Sequence, residues 1–166
     1  MLKVLTWPHK CLSTKSEPVM VFNDQLKQLV ADMHATMLAS NGIGLAANQV
    51  GVLQRVIVAN VPGTTSLNNV PLTLINPVVV ERDGELVGKE GCLSFPSITY
   101  EMSRAISITV AAQDVTGTYF EIKVEGLLAI CLQHEIDHID GITWANKLGK
   151  LGQQMLAKKM RKIVGR

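Results

Sequence analysis

The sequence predicts an α+β fold in which antiparallel β-sheets pack around a buried central helix, with one helix before them and a C-terminal amphipathic helix after. Three observations predict it. A helical stripe near the start gives way to short β-branched runs broken by Asn, Asp, Gly and Pro, and a strongly apolar helical stretch and a cationic amphipathic one close the chain. A helix, then strands in series, then helices is the order of an α+β domain, not of alternating βαβ units. With 166 residues, 47% hydrophobic and 18% charged, residues 1–166 are expected to form a single domain with its own core.

Leu26, Leu29, Val30, Met33 and Met37 have the spacing of one helix face, so a helix is predicted over 24–38, with Asn23 as N-cap and Asn41-Gly42 as its end. A small-residue stretch, GIGLAANQVG (42–51), separates it from QRVIVANV, whose β-branched residues predict a strand. Further strands are predicted at 71–76, 78–82, 105–112 and 118–124. From Glu125 the run EGLLAICLQHEIDHIDG contains no proline, has six consecutive apolar residues at 127–132, and ends on Gly141. A helix this apolar is expected to be buried. The last helix, 149–163, is predicted to set Leu151, Met155, Leu156, Met160 and Ile163 against a cationic face.

Composition narrows the function. Three cysteines, Cys11, Cys92 and Cys131, are too few and too irregular for a disulfide framework and point to a reducing, cytoplasmic setting. Pro8 interrupts the N-terminal MLKVLTWPHK, and no run reaches the ~20 apolar residues of a membrane span, so neither an export signal nor an anchor is expected. Charge is segregated: no acidic residue follows Asp140, while seven cations do, so a body near −5 carries a tail of +7. An anionic partner for that tail is one reading and a solvated helix face the other.

His134-Glu135-Ile136-Asp137-His138 is an H-E-x-x-H sequence on the predicted central helix. Residues four apart stack on one helix face, so both imidazoles can reach one ion while Glu135 approaches a water. Two histidines do not complete a catalytic site, which needs a third protein donor. His9 and His34 are expected at the surface. Cys92, in Glu90-Gly91-Cys92-Leu93-Ser94, is the better third donor, whereas Cys11 and Cys131 read as packing residues. Counting back from His134, Ile130 and Cys131 lie one turn away and Leu127 two, continuing the metal face as an apolar face suited to a methionine side chain. Asp137 and Gln133 are candidates to orient the ligands, or to make helix-end and strand contacts.

GIGLAANQ (42–49), EGCLS (90–94) and QHEIDH (133–138) together resemble the three signature motifs of the peptide deformylases, in that family's order and approximate spacing. The resemblance extends over most of the chain. It implies hydrolytic removal of the formyl group from the N-terminal formyl-methionine of nascent polypeptides, with release of formate, by a metal-activated water. It implies Cys92, His134 and His138 as ligands of one divalent ion, ferrous iron in the native enzyme with zinc, nickel or cobalt as substitutes. It makes Glu135 the general base and acid, and Gln49 and the backbone amide of Leu93 the oxyanion stabilisers. Gly42, Ile43, Gly44, Leu45 and Gly91 would border the substrate with Leu127, Ile130 and Cys131.

The family often carries an arginine a few residues after the S-x-P that follows its cysteine; here the run is Ser97-Ile98-Thr99-Tyr100 and the first arginine is Arg104. Ile139 stands where leucine is usual. The basic last helix resembles that of bacterial deformylases and implies docking on the ribosome by an otherwise monomeric enzyme with no membrane contact. The alternatives are an H-E-x-x-H zinc peptidase, against which a cysteine ligand speaks, and a metal-free cysteine hydrolase using Cys92. A non-enzymatic RNA-binding module fits poorly, because 4% aromatics leave few platforms for base stacking.

Overall fold

The computed structural model describes residues 1–63 and 70–165. It is an α+β arrangement of three α-helices and two antiparallel sheets. Helix α1 (Asp24–Ala39) begins where the Asn23 side chain accepts from Leu26 N at 3.0 Å, satisfying one orphan amide of the first turn. Its inward face is Leu26, Val30, Met33 and Met37. Asn41, at φ 54°, turns the chain out of it.

Five strands form the main sheet in the order β1-β2-β3-β6-β7: β1 (Gly44–Ala46), β2 (Val56–Ala59), β3 (Leu72–Asp83), β6 (Ser107–Gln113) and β7 (Tyr119–Glu125). The second sheet is the hairpin of β4 (Leu86–Cys92) and β5 (Phe95–Arg104). Helix α2 (Gly126–Ile139) lies on one face of the main sheet and α1 on the other. Strand β2 shows why its sequence is apolar throughout: Val56 and Val58 face α1 while Ile57 and Ala59 face α2, so both faces are covered. A third apolar layer, Phe95, Ile98, Leu156 and Met160, lies between the hairpin and α3 (Lys150–Val164).

Several sequence-based boundaries move. The two strands predicted at 71–76 and 78–82 are one, β3, which passes through a register shift at Asn76-Pro77. Proline has no N–H for the ladder, and the Asn76 side chain supplies replacements, accepting from Val19 N and donating to Val19 O and Gln113 Oε1. The GIGLAANQVG stretch holds β1 and a 3₁₀ turn, Ala47–Val50. The β4–β5 hairpin has no counterpart in the predicted strands, because β4 is exposed or half-buried throughout and shows no apolar alternation. On α3 the predicted stripe divides: Leu156 and Met160 are buried and Ile163 half-buried, but Leu151 and Met155 are 70% and 66% exposed. Five positions spread over that arc are too many for one contact with β5, so the outer pair projects into solvent. His34 is half-buried instead of exposed, with Nε2 2.9 Å from Thr73 Oγ1. Among the described residues no helix is long and apolar enough to cross a membrane.

The C-terminal end of α2 is held from outside. Asn48 Nδ2 donates to the carbonyl of His138, while Ser16 N and Arg55 Nη1 donate to that of Ile139 at 2.8 and 3.1 Å. Gly141, at φ 74°, then turns the chain so tightly that a Cβ there would sit 2.9 Å from the backbone of Thr14 and Lys15. Gly141→Ala is therefore expected to cost at least about 2 kcal/mol, through left-handed strain and a backbone clash together, measured as a lower midpoint in urea denaturation.

Candidate active site

Three segments converge on one point. Helix α2 presents His134, Glu135 and His138; β4 ends at Cys92 in a register shift against β5; and the 3₁₀ turn after β1 carries Gln49. Cys92 Sγ lies 3.3 Å from His138 Nε2, which lies 3.1 Å from His134 Nε2. The donor atoms of the three residues all fall within 4.8 Å of one another. Two ring nitrogens and a thiol at such spacing are a borderline-soft donor set that suits a divalent transition ion. Beside them Glu135 is 4% exposed, and its Oε2 has no hydrogen-bond partner among the described residues. A buried, unpartnered carboxylate oxygen next to such a trio is the observation that the residues fit a metal site with an adjacent water.

Burial raises the Glu135 carboxyl to about 7, the nearby His134 and Arg104 offsetting only part of the effect. Burial also drives the His138 ring well below its usual value, reinforced by His134 and Arg104, so this imidazole is neutral and available as a donor. Gln49 is 1% exposed and its amide is fixed at both ends: Oε1 accepts from Ala46 N at 2.9 Å, and Nε2 faces Ser94 Oγ at 3.1 Å and Cys92 Sγ at 3.7 Å.

Gln49, Cys92, His134 and Glu135 form the floor of a groove of about 590 Å³. Gly42, Ile43, Gly44, Gly91, Leu93, Leu127, Ile130 and Cys131 line it, together with Leu86 and Met102 from the hairpin. Leu45 does not: it is fully buried in the α1 layer, because strand alternation turns its side chain away from the groove side. Gly44 is required by contact, since a Cβ would sit 2.6 Å from Glu135 Oε1 and 2.7 Å from Cys131 Sγ. At Gly91 a Cβ would meet nothing within 4 Å. Leu127 is 54% exposed at the groove's rim and so is no core residue.

A polar cluster lies behind His134 that the sequence analysis did not find. Glu90 Oε1 is 3.2 Å from His134 Nδ1, and Arg104 clasps both Glu90 oxygens at 3.0 Å while also bonding Asp137 Oδ2. Arg104 is 8% exposed and committed to these two carboxylates, so it is a brace behind the site. Gln133 orients no ligand; its amide brackets Ala105, accepting from N and donating to O at 2.9 Å each, which ties α2 to the start of β6. The inward alternation of β5 (Ile98, Tyr100, Met102, Arg104) was the available signal for the missed cluster.

An H-E-x-x-H helix, a neighbouring thiol and an apolar groove together define a hydrolase of the metal-dependent, amide-cleaving class. The polypeptide deformylase family model matches residues 1–154, and the chain belongs to that family. It is similar to the peptide deformylases of Chromobacterium violaceum (42% identical, 98% of this chain and 95% of the relative) and Neisseria gonorrhoeae (43% identical, with the same coverage). Its fold is similar to the crystal structure of a peptide deformylase from Legionella pneumophila (TM-score 0.89, 38% identical, 100% of this chain and 98% of that one). The Ehrlichia chaffeensis peptide deformylase in complex with actinonin is likewise similar (TM-score 0.90, 40% identical, 97% and 96%). The chain is thus an enzyme that removes the N-terminal formyl group from nascent polypeptides, and neither the peptidase nor the cysteine-hydrolase alternative is favoured.

The brace behind His134 has a thermodynamic signature. Burial works to raise the Glu90 carboxyl, but hydrogen bonds from His134 and Arg104 outweigh it and hold it at about 2 against an ordinary 4.5. As pH falls the unfolded chain takes up this proton first, so the contribution is complete above 4.5 and lost on descent toward 2. Roughly 3 kcal/mol is at stake. Glu90→Gln is expected to flatten the loss of stability across that interval, measured as urea midpoints from pH 5 to pH 2.

Proposed function

We propose that Cys92, His134 and His138 hold one divalent ion, ferrous iron in the native enzyme, and that Glu135 moves the proton in deformylation. The observation that carries this reading is the orphan Glu135 carboxylate beside three converging donors. An ion bound there supplies a Lewis acid for the formyl carbonyl and acidifies water. Glu135, poised near neutrality, accepts a proton from water as its oxygen adds to the formyl carbon; it returns that proton to the amine nitrogen as the C–N bond breaks, leaving formate and a free N-terminus. The charge that grows on the formyl oxygen is met by Gln49 Nε2, which Ala46 N and Ser94 fix in place, and by the backbone N–H of Leu93, each worth about 3 kcal/mol. Ile43, Leu127, Ile130 and Cys131 offer a thioether side chain an apolar slot, and Gly42, Gly44 and Gly91 leave room for an extended peptide backbone.

In this reading residues 1–166 act as one catalytic domain, since the layer under Cys92 draws on Trp7 near one end and Met160 near the other. Its free cysteines suit the cytoplasm, where formylated chains emerge, and the enzyme works as a monomer. The tail docks on the ribosome. Lys147, Lys150, Lys158, Lys159, Arg161 and Lys162 are exposed and form no ion pair among the described residues, whereas Arg166 lies outside them. Such a surface favours the phosphates of ribosomal RNA.

Two measurements test these roles. Glu135→Gln is expected to retain one ion per chain by metal analysis while formate release from a formyl-methionyl peptide falls at least about 100-fold; parent enzyme stripped by a chelator should lose turnover and recover it with added ion. Replacing Lys158, Lys159 and Lys162 together by Gln spares Leu156 and Met160, the residues that seal the hairpin layer. It should leave peptide turnover unchanged but weaken ribosome binding and lower its salt slope by about three units.

A further inference from the structure

Among the three donors, only His134 has hydrogen-bond partners for its second ring nitrogen; His138 Nδ1 has none among the described residues. Those partners arrive as a pair. Glu90 and Tyr100 face each other directly across the β4–β5 ladder, and Glu90 Oε1 lies 3.2 Å and the Tyr100 hydroxyl 3.0 Å from His134 Nδ1. A carboxylate clasped by Arg104 can only accept, so Nδ1 carries the proton and the Tyr100 oxygen accepts from it too. The remaining nitrogen, Nε2, is the one that faces Cys92 and His138.

The hydroxyl is rigidly placed. Tyr100 is 7% exposed, and its ring stacks on Trp144 at 4.8 Å and 15° and meets Phe95 edge-on at 6.4 Å. Among the described residues the hydroxyl has no other partner, so a buried polar group is aimed at this one nitrogen. Glu90 Oε1 is in turn shared with Arg104 Nη2 at 3.0 Å. One contact to a neutralised carboxylate leaves the imidazole free to swing about its Cβ–Cγ bond, whereas two contacts from opposed strands fix the ring plane.

We propose that Tyr100 is a positioning residue for deformylation, its hydroxyl and the cross-strand Glu90 together gripping His134 Nδ1 so that Nε2 is held on the ion. This rests on the metal assignment proposed above. In a deformylase whose ion is replaced by cobalt(II), Tyr100→Phe keeps the ring packing and deletes only the oxygen. The variant should release cobalt to a chelator about tenfold faster, show displaced d–d absorption bands, and lose kcat severalfold with KM unchanged. Parent-like bands and release rate would overturn the proposal. So would a lowered melting temperature of the metal-free variant with an unchanged cobalt spectrum, the mark of a residue that only packs. If the parent itself shows no thiolate-to-cobalt absorption, the metal assignment falls and this inference with it; parent absorption with an indifferent variant removes Tyr100 alone.

Discussion

The structure depends on one awkward requirement: α2 must carry two imidazoles and a carboxyl through the apolar interior with their positions fixed. The helix meets it by dividing its surface. Leu128, Ala129, Leu132, Ile136 and Ile139 fill the layer against the sheet, while His134 and Glu135 line the groove and His138 meets Cys92. Fixing the helix along its axis takes more than packing, because apolar contacts are non-directional. The donors of Asn48, Ser16 and Arg55 on its last two carbonyls supply the direction at one end, and Gln133 on Ala105 supplies it along the flank.

The hairpin answers a related need. Cys92 and Glu90 belong to β4, Tyr100 and Arg104 to β5, so one two-stranded unit brings both the thiol and the groups behind His134. A hairpin alone is marginal in water. Here Phe95 and Ile98 lock it onto Leu156 and Met160 of α3, which makes the C-terminal helix a structural support for the site as well as a cationic surface.

What the sequence disclosed, and what it hid, follows from the range of each interaction. H-E-x-x-H was legible because helical periodicity alone brings its members together. Cys92 was legible from its chemistry as a candidate third donor, and the structure brings its thiol beside the two imidazoles. The strand of Tyr100 and Arg104 was passed over although Ile98, Tyr100 and Met102 alternate with polar neighbours, because β4 offers no apolar alternation to announce a partner. Leu45 was read into the groove because its motif neighbours are there, yet one-residue alternation sends its side chain to the opposite layer. Leu151 and Met155 fell on a plausible stripe, but which part of a broad apolar arc is covered depends on how the helix is rolled on its support, which spacing alone does not encode.

The site also shows why stability and chemistry pull apart at Gly44. Its missing side chain lets the backbone lie against Glu135, where a Cβ would sit 2.6 Å from Oε1, while Oε2 is buried with no partner among the described residues. With no protein donor supplied, such an oxygen favours a bound water, since leaving it unpaired would cost on the order of 1–3 kcal/mol. An additional donor there would recover that energy, and it would also hold the carboxylate ionised and weaken its hold on a proton, lowering the basicity that transfer to an amine requires. The lack of a protein donor at this oxygen is therefore better understood as a condition of the reaction than as a packing fault. Its cost is tolerable because the clamps at the end and flank of α2 keep the helix in place without help from the groove side.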